Sequence, residues 1–112
     1  MDAIARTVRD LLASLVKAAL MSEDRASLFW RAEAAQAQAV LSADREAART
    51  LKLDGLWSLA VQEAEAPDLR DAEGRVAFGL PAACPFALSE LAEPDLDIDA
   101  AVERIRTSAA TG

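Results

Sequence analysis

The sequence predicts an all-α fold: a single-domain helical bundle of five or six helices over residues 1–106, with a flexible tail over residues 107–112. About a quarter of the residues are alanine, which is the best helix former. Apolar side chains recur at steps of three and four along most of the chain, as one face of a helix requires. A length of 112 residues fits one domain.

Helix 1 is predicted over about residues 2–20, because an apolar stripe with helical spacing runs through this segment. The charged residues Arg6, Arg9, Asp10 and Lys17 fall largely outside the stripe. The stripe itself consists of Ile4, Val8, Leu11, Leu12, Leu15, Ala19 and Leu20.

Helix 2 is predicted to begin near Asp24. Its alanine-rich middle, Ala32–Ala39, allows a neighbouring helix to approach closely, since small side chains shorten the distance between helix axes. Ser42 or Asp44 can cap a restarted turn, so residues 24–52 form either one helix or two.

Asp54 and Gly55 predict the end of a helix, because glycine readily adopts the left-handed conformation that closes one. Helical spacing then resumes over residues 56–64. Pro67 suits the first turn of a further helix over residues 67–78, although residues 70–78 are also compatible with a short hairpin.

Two short helical segments complete the chain. Pro85 predicts the start of a helix that ends before Pro94, and we expect the segment from Cys84 to Leu91 to pack as a lid over a bundle of helices 1, 2 and 4. The last helix begins near Ile98. Five aromatic side chains are expected to anchor the core, because they bury most area per residue: Phe29, Trp30, Trp57, Phe78 and Phe86.

The residue types exclude several kinds of chemistry. Without histidine the chain has no imidazole catalytic group and lacks the usual zinc ligands, and its glycines do not form a phosphate-binding loop. We therefore expect no catalytic residue, no cofactor and no metal ion. Asp95, Asp97 and Asp99 superficially resemble the start of a calcium loop, but helix capping explains them better.

Cys84 is the one candidate for a reactive thiol. A cysteine at a helix N-terminus can be shifted toward the thiolate, although packing beneath the loop is the commoner role for a lone cysteine. A single cysteine cannot form an internal disulfide, which is typical of a cytoplasmic protein.

The negative charge is concentrated in one segment. Residues 63–99 hold ten acidic and two basic side chains, whereas residues 1–62 hold eight of each. This surplus favours a basic protein partner over direct binding to nucleic acid, and no apolar run is long enough for a membrane span. The predicted partner-binding residues are Glu63, Glu65, Asp68, Asp71 and Glu73, which indicate a solvated acidic face better than a catalytic pair of carboxylates.

The C-terminal half carries an order of short motifs: Pro67-Asp68, then Gly79-Leu80-Pro81, then Cys84-Pro85-Phe86 with Leu88 two residues on. In these motifs, and in helix 1 and the Trp30-Arg31 step, the chain resembles the bacterial family known as domain of unknown function number twenty-nine. The resemblance implies an all-helical fold and no established activity. It departs from that family in its alanine-rich middle and in lacking an additional N-terminal helical segment.

Together these features predict a non-enzymatic protein-interaction module, such as an adaptor, an antitoxin-like regulator or an inhibitor, that presents an acidic face to a basic partner. One alternative is a homo-oligomer that assembles through the alanine-rich face of helix 2. Another is a thiol-dependent sensor or enzyme acting through Cys84.

Overall fold

A computed structural model of the chain describes residues 3–20, 24–48, 51–64, 84–93 and 95–111. These ranges hold six helices and no β-strand, which confirms the predicted all-α fold. The helices are α1 (Ala3–Leu20), α2 (Asp24–Ala43), α3 (Arg45–Ala48), α4 (Leu53–Ala64), α5 (Leu88–Leu91) and α6 (Ile98–Thr111). The helix or hairpin predicted within residues 67–78 lies outside the described residues.

Helix α1 forms the centre of the bundle and packs against α2, α4 and α6. The predicted stripe is buried from Ile4 to Ala19, as expected for a core-facing surface. Burial extends further, however, because every side chain from Leu11 to Ala19 is buried, Ser14 and Lys17 included. This C-terminal half of α1 is surrounded on several sides and has no solvated face.

The C-terminal end of α1 is held by side chains from two other helices. The Ser27 hydroxyl of α2 donates to the Ala18 carbonyl oxygen at 3.0 Å. The Arg106 guanidinium of α6 donates to the same oxygen at 3.3 Å and to the Ala19 carbonyl oxygen at 3.1 Å. The last carbonyl groups of a helix have no partner within it, so these contacts both cap α1 and fix the positions of α2 and α6.

The described part of residues 24–52 forms two helices, as one of the two sequence-based alternatives predicts. Helix α2 ends at Ala43, and a turn at Asp44 leads into the short α3. The turn is closed by the Asp44 N–H, which donates to the Leu41 carbonyl oxygen at 3.0 Å.

The helix end predicted at Asp54 and Gly55 is wrong, because both residues lie in the first turn of α4. Asp54 is favourable there, since a carboxylate complements the positive end of the helix dipole. Glycine in a helix costs about 1 kcal/mol relative to alanine. Burial of Leu56, Trp57 and Ala60 in the core offsets that cost.

Helix α5 begins at Leu88, three residues later than Pro85 predicted. Ala87 is its N-cap, and its N–H donates to Glu90 Oε1 at 3.0 Å. At the other end, the buried Gln38 amide of α2 donates to the carbonyl oxygens of Leu91 and Glu93. This side chain ties α5 to the bundle.

Helix α6 begins after Asp97, whose Oδ1 accepts the Ala100 N–H at 3.1 Å. This bond is a helix N-cap, so the capping interpretation of Asp97 is confirmed. The helix continues to Thr111, into the segment for which the sequence predicts a flexible tail.

The aromatic side chains differ in burial. Trp57 and Phe86 are buried in the core, as predicted. Trp30 is half-buried, and Phe29 is 56% exposed, so its prediction as a core anchor is wrong. Phe78 lies outside the described residues. None of the described helices combines the length and the apolar surface that crossing a bilayer requires.

Candidate functional site

A groove of about 390 Å³ lies between α1 and α2, with the end of α4 closing one side. We call it the Lys17 groove. Its principal side chains are Asp10 and Lys17 from α1, Trp30, Glu33 and Val40 from α2, and Glu63 from α4.

The two walls of the groove are stripes with matching helical spacing. On α1, Thr7, Asp10, Ser14 and Lys17 follow one another at steps of three, four and three residues. On α2, Trp30, Glu33, Ala37 and Val40 follow one another at the same steps. Residues spaced in this way share one side of a helix, so two packed helices bring the stripes together.

Lys17 is the central charged group of the groove. Its side chain is only 9% exposed, and its Nζ lies 3.6 Å from Glu63 Oε1. The same nitrogen lies 4.3 Å from the centroid of the Trp30 ring. Burying an ammonium group is costly, and a carboxylate together with the face of an indole ring offsets part of that cost.

The Trp30 ring is itself held in place. The Phe29 ring meets it edge to face, with a centroid separation of 4.9 Å and an angle of 80° between the planes. Such aromatic pairs contribute about 0.5–1.5 kcal/mol beyond their buried area. Lys17 and Phe29 therefore both help to fix the orientation of the indole within the groove.

Among the described residues that line the groove, carboxylates outnumber cations, with Asp10, Glu33 and Glu63 against Lys17. Arg9, outside the lining, forms an ion pair with Asp10 at 3.2 Å, and Lys17 engages Glu63. Glu33 is exposed and has no ion-pair partner among the described residues. The arrangement suits a cationic group with an apolar stem, since Trp30 and Val40 supply the adjoining apolar surface.

Of the partner-binding residues predicted from the sequence, Glu63 lines this groove. Glu65, Asp68, Asp71 and Glu73 lie outside the described residues. Composition did not identify Lys17 and Trp30 as groove residues. The matching spacing of the stripes on α1 and α2 is the sequence signal that could have identified both.

Other acidic residues of the segment 63–99 pair with basic residues elsewhere in the fold. Asp99 binds Arg31 at 2.6 Å, Glu93 binds Arg45 at 3.2 Å, and Glu90 binds Arg104 at 2.8 Å. Each such surface pair is worth about 0–1 kcal/mol. In the fold, basic residues from other helices therefore neutralise part of the acidic surplus of residues 63–99.

The ionisation of Glu90 is changed by two hydrogen bonds that its carboxylate accepts. The hydrogen bond from the Ala87 N–H lowers its pKa, and the hydrogen bond from Arg104 lowers it further. Glu90 therefore keeps its charge to a lower pH than an ordinary glutamate, and the contacts that it makes persist to that pH.

Cys84 is partly buried, and burial is the main reason that its pKa is raised to about 11. A hydrogen bond from the Phe86 backbone opposes this shift, whereas the negative charges of Asp54 and Glu90 add to it. The sequence analysis gave Cys84 as a candidate for a thiol that a helix N-terminus shifts toward the thiolate. In the structure α5 starts at Leu88, with Ala87 as its cap, and the pKa shift has the opposite direction.

We expect Cys84 to react slowly with a disulfide reagent at neutral pH, because only the thiolate attacks and the raised pKa keeps the thiol protonated. Titration of thiolate absorbance should give a midpoint near 11. In denaturant the reaction should accelerate toward that of free cysteine. A midpoint below the ordinary value of about 8.5 would contradict this account.

Comparison with protein-family models, with curated proteins and with solved structures finds no significant match to this chain. The resemblance to the domain of unknown function number twenty-nine family therefore stays a prediction.

Proposed function

We propose that this chain is a non-enzymatic protein-interaction module of the cytoplasm, an adaptor, antitoxin-like regulator or inhibitor, that binds a basic segment of a partner protein. The observation that carries the proposal is the Lys17 groove. In the part of the chain that the structure describes, it combines a half-buried tryptophan ring with three carboxylates and one ammonium group.

A basic partner fits the groove on electrostatic grounds. Lys17 is already engaged by Glu63, so an arriving lysine or arginine meets the exposed carboxylate of Glu33. Charge complementarity of this kind accelerates association and selects among partners. The same carboxylates disfavour a nucleic-acid backbone, which binds through lysine and arginine.

The apolar part of the groove supplies the contact area. Tryptophan is enriched among the residues that dominate binding energy at protein interfaces. Trp30 is held in a fixed orientation by Phe29 and Lys17, so little conformational freedom remains to be lost on binding. The aliphatic stem of a partner's lysine or arginine can pack against Val40, which is exposed at the groove.

A non-enzymatic role is supported by the side chains that the chain offers. It has no histidine, and the thiol of Cys84 is held in its unreactive, protonated form by a pKa of about 11. The thiol-dependent alternative is therefore the weakest of the three. Self-association through the alanine-rich face of α2 is the other alternative.

The proposal is tested by fluorescence anisotropy with a labelled peptide of alternating arginine and leucine. The test variant is Glu33→Lys, which adds a cation to the groove without breaking an ion pair among the described residues. We expect peptide binding to weaken about tenfold, equivalent to about 1.4 kcal/mol.

The matched control is Asp95→Lys, which makes the same change in net charge at an exposed position outside the groove lining. We expect this variant to bind within about twofold of the wild type, because exposed charges far from a site are largely screened by salt. Equal weakening by both variants would show a general charge effect and no groove site. A peptide of alternating glutamate and leucine should not bind.

A further inference from the structure

Ser14 of α1 is a buried polar residue whose hydroxyl has no hydrogen-bond partner among the described residues. It is 7% exposed, and it lines the Lys17 groove. Buried polar side chains are normally hydrogen-bonded, because removing one from water without a partner is costly. Lys17, Ser27 and Gln38, the other buried polar residues of the described ranges, each have a partner. Within these ranges Ser14 is therefore the exception.

The Ser14 hydroxyl is open to the groove. A serine or threonine inside a helix commonly donates to a carbonyl oxygen of the preceding turn. Thr7 and Ser42 donate in this way at 3.1 Å, whereas Ser14 makes no such bond. In the described part of the chain no fully buried side-chain nitrogen or oxygen lacks a partner, so Ser14 Oγ keeps contact with solvent. Since Ser14 lines the groove, a group bound in the groove can reach this oxygen.

Ser14 lies at the same level of the groove as Glu33, on the opposite wall. The Lys17 ammonium lies over the Trp30 ring, which fixes the level of α1 relative to α2. From that contact along the groove, residue numbers fall on α1 and rise on α2, so the two helices run antiparallel. Ser14 lies three residues before Lys17, and Glu33 lies three residues after Trp30. The unpartnered hydroxyl and the exposed carboxylate therefore face one space.

We propose that Ser14 and Glu33, together with Asp10, form a subsite for a primary ammonium group, and that a lysine side chain of the partner protein occupies it. Asp10 lies four residues before Ser14, so it shares the same side of α1 and also lines the groove. This inference rests on the proposed function. It names the side chain that the groove selects within the basic segment of the partner.

The arrangement of acceptors favours lysine over arginine. An ammonium group has three N–H donors that point in different directions, and the subsite offers a hydroxyl oxygen and two carboxylates from two walls. A guanidinium is a flat fork that pairs best with the edge of one carboxylate. Ser14 lies deep between the two helices, where a narrow, unbranched side chain reaches it more easily than a flat and wider one.

The charges of the groove leave this subsite available. Lys17 is engaged by Glu63 at 3.6 Å, whereas Glu33 has no ion-pair partner among the described residues. A lysine that enters the groove therefore supplies the cation that Glu33 lacks. Its aliphatic stem can lie along Ala37 and Val40, which line the same wall as Glu33.

Fluorescence anisotropy with two labelled peptides of equal length tests the subsite, one of alternating lysine and leucine and one of alternating arginine and leucine. The wild type should bind the lysine peptide more tightly. Ser14→Ala should weaken the lysine peptide about tenfold, the effect expected for losing a hydrogen bond to a charged group. It should leave the arginine peptide within about twofold of the wild type, because a guanidinium does not need the hydroxyl.

The matched control is Ser58→Ala, the same change at an exposed position of α4 outside the groove lining. It should bind both peptides like the wild type. Alanine is a better helix former than serine, so both variants should keep the helical content of the wild type by circular dichroism.

The outcomes separate this inference from the proposed function. A wild type with no preference for the lysine peptide would overturn the ammonium subsite, and so would equal weakening of both peptides by Ser14→Ala. Neither result contradicts the proposed function, which requires that a basic peptide binds and that Glu33→Lys weakens it. If neither peptide bound the wild type, both proposals would be overturned.

Spermidine distinguishes a partner's lysine from a free amine, because it carries ammonium groups without apolar side chains. We expect the wild type to bind spermidine at least about tenfold more weakly than the lysine peptide, since spermidine lacks the leucines that cover the apolar part of the groove. Spermidine that binds as tightly as the lysine peptide and is lost in Ser14→Ala would overturn the partner's lysine as the occupant. The ligand would then be a free polyamine.

Discussion

Leu15→Ala is expected to lower the free energy of unfolding by about 2–5 kcal/mol, the range for removing a fully buried leucine from a close-packed core. Leu15 is fully buried in α1, the helix against which α2, α4 and α6 all pack. Shortening its side chain leaves a cavity in the core around α1. Since small domains are stable by about 5–15 kcal/mol, the loss is a large share of the total.

The measurement is urea unfolding followed by circular dichroism at a low protein concentration, with linear extrapolation to water. The matched control is Leu59→Ala, the same change on α4 at a position that is 40% exposed. We expect the control to lose less than about 1 kcal/mol. If the two variants lost equal stability, α1 would not be the central helix of the bundle.

Lys17→Glu is expected to have the second large effect, a loss of about 3–5 kcal/mol, because it leaves an unpaired charge in a buried position. The new carboxylate would lie beside Glu63, the present partner of Lys17, and would lose the favourable contact with the Trp30 ring. Like charges close together in a partly dry site repel strongly.

Lys17→Met is the control that separates charge from packing. Methionine has nearly the length of the lysine stem, so it keeps the apolar contacts of the groove, while Glu63 at its exposed end can be solvated. We expect a change within about 1 kcal/mol. Both variants are measured by the same urea titration. Equal losses from Lys17→Glu and Lys17→Met would mean that the ammonium group itself holds the groove together.

The features that sequence reasoning predicted correctly depend on local periodicity. The stripe of α1, from Ile4 to Ala19, follows directly from helical spacing, and its residues are buried. Asp97 as an N-cap also follows from local chemistry, since a short acidic side chain before an apolar helical stripe is a common start signal.

The helix end predicted at Gly55 was wrong because the prediction used only local sequence. Glycine commonly ends a helix, but the burial of Trp57 and its neighbours against the bundle decides the conformation of this segment. The prediction that Phe29 anchors the core was wrong for a different reason. Its hydrophobicity predicted burial, yet its position on α2 turns it away from α1, and only the relative rotation of the helices determines which side faces inward.

The candidate site was only partly predictable because it is assembled from distant parts of the chain. Glu63 was identified from its place in an acidic segment, but its partner Lys17 lies on the first helix. The ion pair of Arg31 with Asp99 likewise joins residues 68 positions apart. No periodicity within one helix indicates such pairs, since they depend on how the helices pack.

The most direct test of the central claim, that the Lys17 groove binds a basic partner, is an NMR titration with the peptide of alternating arginine and leucine. The chain has two tryptophans and therefore two indole N–H signals, one from Trp30 in the groove and one from Trp57 in the core. We predict that the Trp30 signal shifts progressively and saturates while the Trp57 signal stays in place. A Trp30 signal that does not move, or a Trp57 signal that moves equally with it, would contradict the account.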